Sequence, residues 1–155
     1  MRVKDLMSTR VSSVTANEPA SRALRAMWDC DCGAIPVLSE DGRVVAMVTD
    51  RDVAMTSLHR DQPPSALRVS DAMSKDLQFC SPDDPVNAAE DIMRAHQVRR
   101  LPVLSQDRRL VGVLSTADIL RAAGHRERRF ETAPQDAAAT MAIICTPRAR
   151  PEARV

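Results

Sequence analysis

The sequence is short of aromatic side chains and of net charge. Aromatic residues make up 2% of its 155 residues and tyrosine is absent, so the chain offers no row of rings on which single-stranded nucleic acid could stack. The formal net charge of +1 gives no broad attraction to nucleic acid or to an acidic membrane. These two deficits argue against both classes of partner.

Glycine-rich and catalytic motifs are missing as well. The chain has four glycines and contains neither a P-loop nor a G-x-G-x-x-G segment, and no catalytic pattern stands near its three histidines. Cys30 and Cys32 form a C-x-C pair, but no second close pair exists to complete a tetrahedral zinc site. We interpret the thiols as buried or inert, with a redox pair as the alternative. The sequence predicts no metal site, no catalytic residue and no enzyme activity.

Long apolar runs are absent too. No stretch approaches the roughly 20 residues needed to span a bilayer, and residues 1–5 lack the apolar character of a signal peptide. We therefore expect a cytoplasmic protein with no membrane partner. The 44% hydrophobic and 28% charged residues suit one globular domain or two small halves.

What the sequence does contain is an internal repeat. The segment from Ala46 to Asp52 has a counterpart from Gly112 to Asp118, 66 positions later, and the alignment at this offset needs no gap from Val3 to Leu120. Repetition over such a length is the strongest sign of organisation in the chain. It predicts four parts: repeat 1 (residues 1–58), a linker (59–67), repeat 2 (68–123) and a C-terminal tail (124–155).

Each repeat predicts the order β-α-β-β-α. The strands are expected at residues 11–14 and 77–80, from Ile35 and Leu101 onward, and at 44–49 with its counterpart. Pro19 and Pro85 suit the first position of a helix, with Glu18 and Asp84 placed to cap it. The last helices are expected at about 51–58 and 117–123. One repeat alone would have a marginal core, so we predict an α/β (α+β) fold with the repeats packed sheet to sheet.

The tail after Gly124 loses this periodicity. The charged run at 125–129 is typical of a solvated helix end, and the apolar segment 141–145 could form an added strand or an oligomer contact. A disordered tail is the open alternative. Weak nucleic-acid binding would use the arginines near the chain end, including Arg121, Arg126, Arg128 and Arg129.

Both copies of the repeated segment place a carboxylate three residues after a hydroxyl: Thr49 with Asp52, and Ser115 with Asp118. This spacing predicts a strand, a turn and a helix start. Two interpretations stay open. The pairs could be capping boxes and nothing more, or the two helix starts could bind a ligand that carries phosphates and a sugar.

The doubled pattern resembles tandem CBS-domain proteins, of the small stand-alone bacterial type that forms a Bateman module. The resemblance covers residues 1 to about 122 and rests on Asp-x-Met-Ser, [Ile/Leu]-Pro-Val-Leu and [Gly/Ala]-x-x-[Thr/Ser]-x-x-Asp, each present twice. It implies two repeats related by a pseudo-two-fold axis, with clefts for adenosine-containing ligands such as AMP, ADP, ATP, S-adenosylmethionine or NAD. It also implies a homodimer formed through helices, and energy sensing or signalling to a regulated protein, with the nucleotide as a regulatory ligand and not a catalytic cofactor.

The resemblance implies two clefts, each built from both repeats. Cleft 1 would contain Thr49, Asp52, Ser74, Lys75, Arg99, Arg100 and Leu101. Cleft 2 would contain Ser115, Asp118, Ser8, Thr9, Gly33, Ala34 and Ile35. In each cleft the carboxylate could accept both ribose hydroxyls, the hydroxyl residue and helix-start amides would face sugar or phosphate, and the backbone at Ile35 or Leu101 would flank adenine.

The two clefts are expected to be unequal. Lys75 and the Arg99–Arg100 pair would favour a more phosphorylated ligand in cleft 1, although both arginines could equally be ordinary surface charges. Cleft 2 would take a monophosphate, a nucleoside or nothing. Ala46 stands where Gly112 supplies the family glycine, and its methyl would weaken cleft 1 if a ligand or helix must approach that backbone closely. A structural dimer with empty clefts is the alternative function.

Overall fold

The computed structural model describes residues 1–124 and 134–146, and within them each repeat forms one small sheet with helices. Repeat 1 contains a 3-10 turn at Val3–Asp5, β1 at Val14–Thr15, α1 at Ala20–Asp29, β2 at Ala34–Leu38, β3 at Val44–Thr49 and α2 at Asp50–Arg60. Repeat 2 contains α3 at Val69–Ala72, α4 at Val86–His96, β4 at Arg100–Leu104, β5 at Leu110–Ser115 and α5 at Thr116–Gly124. Helix α6 follows at Pro134–Ile144.

An antiparallel hairpin forms the centre of each repeat. In repeat 1, β2 pairs with β3 so that Ala34 lies opposite Thr49, and β1 runs parallel to β2 on its other edge. In repeat 2, β4 pairs with β5 so that Arg100 lies opposite Ser115. The alternation of apolar and other residues along β3 buries Val44, Ala46 and Val48 on one face, as a half-buried strand requires. This register places the start of α2 beside the first residue of β2, and the start of α5 beside the first residue of β4.

The first strand of each repeat is shorter than the sequence predicts. β1 covers two residues in place of 11–14, and the predicted strand at 77–80 is reduced to one parallel bridge between Cys80 and Val103. In both repeats this pairing begins at the residue after a proline of the neighbouring strand, Pro36 or Pro102. Proline has no N–H to donate, so a longer ladder cannot form along that edge.

The starts of the first helices also differ from expectation. Pro19 and Pro85 precede α1 and α4 as extended N-cap residues, and neither helix start has a side-chain cap. Instead Glu18 Oε2 accepts a hydrogen bond from Thr15 N at 2.6 Å, and Asp84 Oδ2 accepts one from Ser81 N at 2.7 Å. Because each carboxylate points back along the chain, it holds the turn before the helix and does not cap the helix.

The repeats exchange their leading segments, residues 1–8 and 67–74. Val3 N donates to Asp84 O and Val69 N donates to Glu18 O, both at 2.9 Å, so the same contact occurs in each direction. Val3 is fully buried in the core of repeat 2, and Val69 is fully buried in the core of repeat 1. Neither core is complete without the other repeat.

The two sheets meet near the pseudo-two-fold axis. Arg43 forms an antiparallel bridge with its own counterpart, Arg109, and Val44 N donates to Arg108 O at 3.1 Å. Strand β3 also contacts β4. Counterparts can touch only on the axis that relates them, so these contacts confirm the prediction of two repeats packed sheet to sheet.

The tail contains a helix where a strand was one of the expectations. Helix α6 packs across α4 and α5, with Ala137 and Ile144 buried in the core of repeat 2. The alanine-rich sequence of this segment favours helix over strand. Residues 125–133 and 147–155, including the charged run and Arg126, Arg128 and Arg129, lie outside the described residues. None of the helices in the described ranges combines the length and the hydropathy needed to cross a bilayer.

Candidate functional site

The helix start of repeat 1 is a complete capping box. Thr49 N and Thr49 Oγ1 donate to Asp52 Oδ2 at 3.1 and 2.6 Å, and Asp52 N donates back to Thr49 Oγ1 at 3.0 Å. Asp50 N donates to Gly33 O at 3.3 Å, and Arg51 N donates to Asp50 Oδ1 at 2.7 Å. All the amides from 49 to 52 are therefore bonded to protein groups. A phosphate bound by these amides would have to displace an existing acceptor. That they face a sugar or a phosphate stays a prediction.

The helix start of repeat 2 repeats the same box. Ser115 N and Ser115 Oγ donate to Asp118 Oδ2 at 2.8 and 2.5 Å, and Asp118 N donates to Ser115 Oγ at 3.2 Å. In addition, the guanidinium of Arg121 donates to Asp118 Oδ1 and forms an ion pair with it. Both oxygens of Asp118 are thus occupied within its own helix.

The two carboxylates consequently differ in what they offer a ligand. Capping uses only Oδ2 in each case, and Oδ1 of Asp52 makes no hydrogen bond to any residue that the structure describes. The capping-box interpretation therefore accounts for one oxygen of Asp52 and leaves the second available. An ionised carboxylate oxygen accepts hydrogen bonds only, so its natural ligand is a donor such as a sugar hydroxyl.

The leading segment of the other repeat crosses just before each helix start. Ser8 and Val113 exchange two backbone hydrogen bonds of 2.9 Å, two residues before Ser115. Ser74 N donates to Met47 O at 2.8 Å, two residues before Thr49. Both predicted serines thus lie beside the helix start of the opposite repeat, and the exposed Thr9 follows Ser8. Their role as ligand contacts stays a prediction.

The family glycine makes room for this crossing. A Cβ added at Gly112 would lie 2.9 Å from Ser8 O and 2.7 Å from Met7 Sδ, which is too close for either atom. At the equivalent crossing in repeat 1, Ala46 carries that methyl, and Met47 N donates to the side-chain Oγ of Ser74 at 3.1 Å in place of a backbone carbonyl. The close approach at this backbone is made by the leading segment of the other repeat.

The starts of β2 and β4 lie beside the helix start of their own repeat. Ala34 is opposite Thr49, and Arg100 is opposite Ser115, with Thr116 N donating to Arg99 O at 3.0 Å. The hairpin accounts for this position, because the beginning of one antiparallel strand must meet the end of the next. The contribution of these segments to the cleft of the opposite repeat stays a prediction.

Arg100 of repeat 2 lies near Cys32 of repeat 1. Its charge lies near enough to Cys32 to lower the pKa of that thiol, although burial has the larger effect and raises it. Cys32 precedes Gly33, so Arg100 approaches the segment that carries Gly33 and Ala34. The side chains of Ile35 and Leu101 are buried in the two cores, which leaves only their backbone to face a ligand.

Lys75 and Arg99 point to other neighbours. Lys75 lines an open groove of about 530 Å³ with the turn arginines Arg43 and Arg108, at the end of β3 opposite to Thr49. Arg99 is exposed, and its guanidinium lies 3.8 Å from the Sγ of Cys145 at the end of α6. The structure therefore gives no support to Lys75 in cleft 1, and it adds the end of α6 to the surroundings of Arg99.

The thiols are divided between core and surface. Burial raises the pKa of Cys80 to about 12, which makes it unreactive, whereas Cys30 and Cys145 are exposed. Across residues 1–124 and 134–146, no three His, Cys, Asp or Glu side chains are grouped so that they could share a metal ion.

Sequence reasoning missed the part that Arg121 plays at the site. It entered only as a possible nucleic-acid contact, yet it pairs with Asp118. The signal was available, because an acid and an arginine three positions apart on a helix are neighbours. The aligned position in repeat 1 holds Met55, which cannot donate to Asp52.

Two interlocked β-α-β-β-α repeats, each with a capped carboxylate at the start of its last helix, define a tandem-repeat module. The chain belongs to the CBS domain family, whose sequence model matches residues 3–58 and 69–125. The prediction of a small stand-alone tandem CBS protein is confirmed.

Relatives of similar length support this assignment. The CBS domain-containing protein YhcV of Bacillus subtilis is 39% identical over 120 residues, which cover 76% of this chain and 81% of YhcV. Hypoxic response protein 1 of Mycobacterium tuberculosis is 31% identical over 118 residues, covering 76% of this chain and 82% of the relative.

Solved structures match the fold. Hypoxic Response Protein I, crystallised with two coordinated zinc ions, superposes with a TM-score of 0.71 at 30% identity and covers 78% of this chain and 98% of its own. The CBS domain pair of MJ0100, in complex with 5′-methylthioadenosine and S-adenosyl-L-methionine, has a TM-score of 0.73 at 23% identity over 82% and 98%. CBSX2 in complex with AMP has a TM-score of 0.71 at 20% identity over 82% and 99%.

Proposed function

We propose that this chain is a cytoplasmic regulatory module that binds an adenosine-containing ligand between its repeats and signals the occupancy to a partner protein, without catalysis of its own. The single observation that carries the proposal is the unused Oδ1 of Asp52, at a helix start that the leading segment of the other repeat crosses. Structures of the same fold hold AMP, 5′-methylthioadenosine or S-adenosylmethionine, which share an adenosine group with a ribose diol.

The chemistry of the site favours recognition of the sugar over recognition of the phosphate. Asp52 Oδ1 can accept a ribose hydroxyl while Oδ2 keeps the cap, so binding would not cost the helix its start. The helix-start amides are already bonded, and Arg100 is a cationic group that repeat 2 brings near Cys32, at the segment that leads into Gly33. We infer that AMP, ADP or ATP would be held through the ribose, with Arg100 adding attraction for a phosphate.

The test is calorimetric titration of the protein with AMP, ADP, ATP and S-adenosylmethionine, together with mass spectrometry of small molecules released from the purified protein. We expect binding by at least one of these compounds and a melting temperature that rises with its concentration. Asp52→Glu should preserve the capping box, which accepts glutamate at this position, but should weaken ligand binding because the carboxylate moves by one methylene.

Asp71→Asn is the control for loss of a capping carboxylate that is not proposed to touch the ligand. Asp71 Oδ2 accepts a hydrogen bond from Arg68 N at 2.8 Å at the start of α3, and Asp71 also pairs with Arg60. It should lower stability and leave ligand affinity unchanged. If Asp52→Glu binds as the wild type does, the carboxylate is a cap only and the proposal fails. Turnover of nucleotide by the pure protein would instead make it an enzyme.

We also propose that two copies pair through the helices of repeat 1. Trp28 is 86% exposed on α1 and Leu58 is 71% exposed on α2. The corresponding face of repeat 2 is covered by α6, and Arg94, the counterpart of Trp28, donates to Thr140 of α6 at 2.7 Å. An uncovered tryptophan on a two-helix apolar face is costly in water, and a near-neutral chain does not repel its own copy.

A further inference from the structure

The capping boxes of the two helix starts are alike, and one contact distinguishes their carboxylates, Asp52 and Asp118. The guanidinium of Arg121 is bonded to Asp118 Oδ1, and the residue three positions after Asp52 is Met55. The capping bonds to Oδ2 are present in both repeats and cancel in a comparison of the two. The difference that remains is whether the second carboxylate oxygen is already occupied.

We propose that Arg121 competes with the ligand for Asp118, and that Met55 leaves Asp52 open, so that the two clefts bind the same adenosine compound with different affinity. This inference rests on the proposed function. A ribose hydroxyl entering cleft 2 must displace a charge-assisted donor from Oδ1, whereas in cleft 1 it displaces only water. Repeat 1 is the receptive half, and Arg121 makes repeat 2 the weaker one.

The size of the effect follows from exposure. The side chain of Arg121 is 65% exposed, although that of Asp118 is only 10% exposed. Pairs with one partner in solvent are weakened by screening and contribute little, which corresponds to about a two- to five-fold change in ligand affinity. Salt screens such a pair, so the difference between variants with and without it should shrink as ionic strength rises.

The experiment exchanges Arg121 and Met55 in proteins in which only one of the two clefts keeps its carboxylate. AMP is titrated by calorimetry into Asp52→Ala protein, which reports cleft 2, and into Asp118→Ala protein, which reports cleft 1. Adding Arg121→Met to the first should tighten AMP binding by about two- to five-fold. Adding Met55→Arg to the second should weaken it by a similar factor. Circular dichroism confirms that each variant is folded, and if Met55→Arg fails to fold, Arg121→Met decides alone.

Arg22→Met serves as the control for loss of an arginine and its ion pair elsewhere. Arg22 lies 3.9 Å from Glu18, near the N-terminal end of α1, and its removal should leave AMP affinity unchanged. If Arg121→Met leaves binding unchanged, Arg121 is no competitor. If binding weakens, Arg121 holds the phosphate, and the inference is equally overturned. If AMP binds and its affinity is unchanged by either substitution, this inference alone is refuted. If no adenosine compound binds, the proposed function and this inference are refuted together.

Discussion

At the scale of single residues, the absence of a side chain at Gly112 has the largest structural effect. Gly112 is a glycine because Ser8 O and Met7 pass where its Cβ would stand. Its counterpart Ala46 shows the cost of a methyl, since at that crossing one of the two backbone hydrogen bonds is replaced by a bond to a serine hydroxyl. The glycine serves the exchange of segments between repeats.

Gly112→Ala should therefore destabilise the protein. Overpacking typically costs about 1–3 kcal/mol, which outweighs the gain of about 0.4–1 kcal/mol from a less flexible unfolded chain. Urea unfolding measures the change directly. Ala46→Gly is the reciprocal control, with an expected loss of roughly 0.5–1 kcal/mol from backbone entropy. A Gly112→Ala protein as stable as the wild type would show that the leading segment shifts freely.

At the scale of elements, the exchanged leading segments tie the repeats together. Helix α3 is a single turn, too short to be stable alone, yet it lies on repeat 1 with Val69 fully buried. Its position depends on Asp71, which accepts a hydrogen bond from Arg68 N and pairs with Arg60 of α2 at 2.8 Å. This carboxylate therefore joins the second repeat to the first.

The anchoring should depend on pH. The hydrogen bond from Arg68 N, helped by the Arg60 charge, lowers the pKa of Asp71 below its ordinary value of 3.8. A lowered folded-state pKa means that the stabilisation is present above the unfolded-state pKa and is lost as pH falls through the folded-state value. The difference in melting temperature between wild type and Asp71→Asn should thus be full at neutral pH and should shrink below about pH 4.

Arg60→Met separates the two causes. It removes the ion pair and keeps the cap, so it should retain most of the pH dependence, because the backbone hydrogen bond is the larger cause. Thermal melts of the three proteins between neutral pH and pH 3 provide the measurement. A difference between wild type and Asp71→Asn that stays constant over this range would contradict the assignment.

At the scale of the whole molecule, the two halves are alike in fold and unlike in surface. Helix α6 covers α4 and α5, whereas Trp28 of α1 and Leu58 of α2 stay exposed on repeat 1. Helices α1 and α2 run antiparallel. Asp50 N, at the start of α2, bonds Gly33 O just after the end of α1, and Ser21 N, at the start of α1, bonds Pro64 O just after the end of α2. Such a face can pack on a second copy of itself about a two-fold axis.

The proposed pairing predicts a dimer that depends on repeat 1. Sedimentation velocity should find the wild type dimeric at micromolar concentration, and Trp28→Glu and Leu58→Glu should each give a monomer. Ile143→Glu, at a half-exposed apolar position on α6, is the control and should stay dimeric. A monomeric wild type, or a dimer that survives both charged substitutions, would rule out this interface.

The sequence by itself determined the doubled architecture. The 66-residue offset, the order β-α-β-β-α and the two hydroxyl-to-acid pairs were all legible, because helical and strand spacing and capping boxes depend on residues a few positions apart. The ion pair of Arg121 with Asp118 is equally local and could have been predicted. The fold class is confirmed on this basis, whereas the ligand-binding roles of the cleft residues remain predictions.

Only the tertiary structure decided which parts of the two repeats meet. Four features depend on residues that are far apart in the chain. They are the exchange of leading segments, the crowding at Gly112, the position of Lys75 in a separate groove, and the exposure of Trp28 where its counterpart in repeat 2 is covered. Such contacts follow from packing around the pseudo-two-fold axis, and no local pattern encodes them. The position of the Asp52 carboxylate follows from sequence spacing, whereas the availability of its Oδ1 follows from how the side chains around it pack.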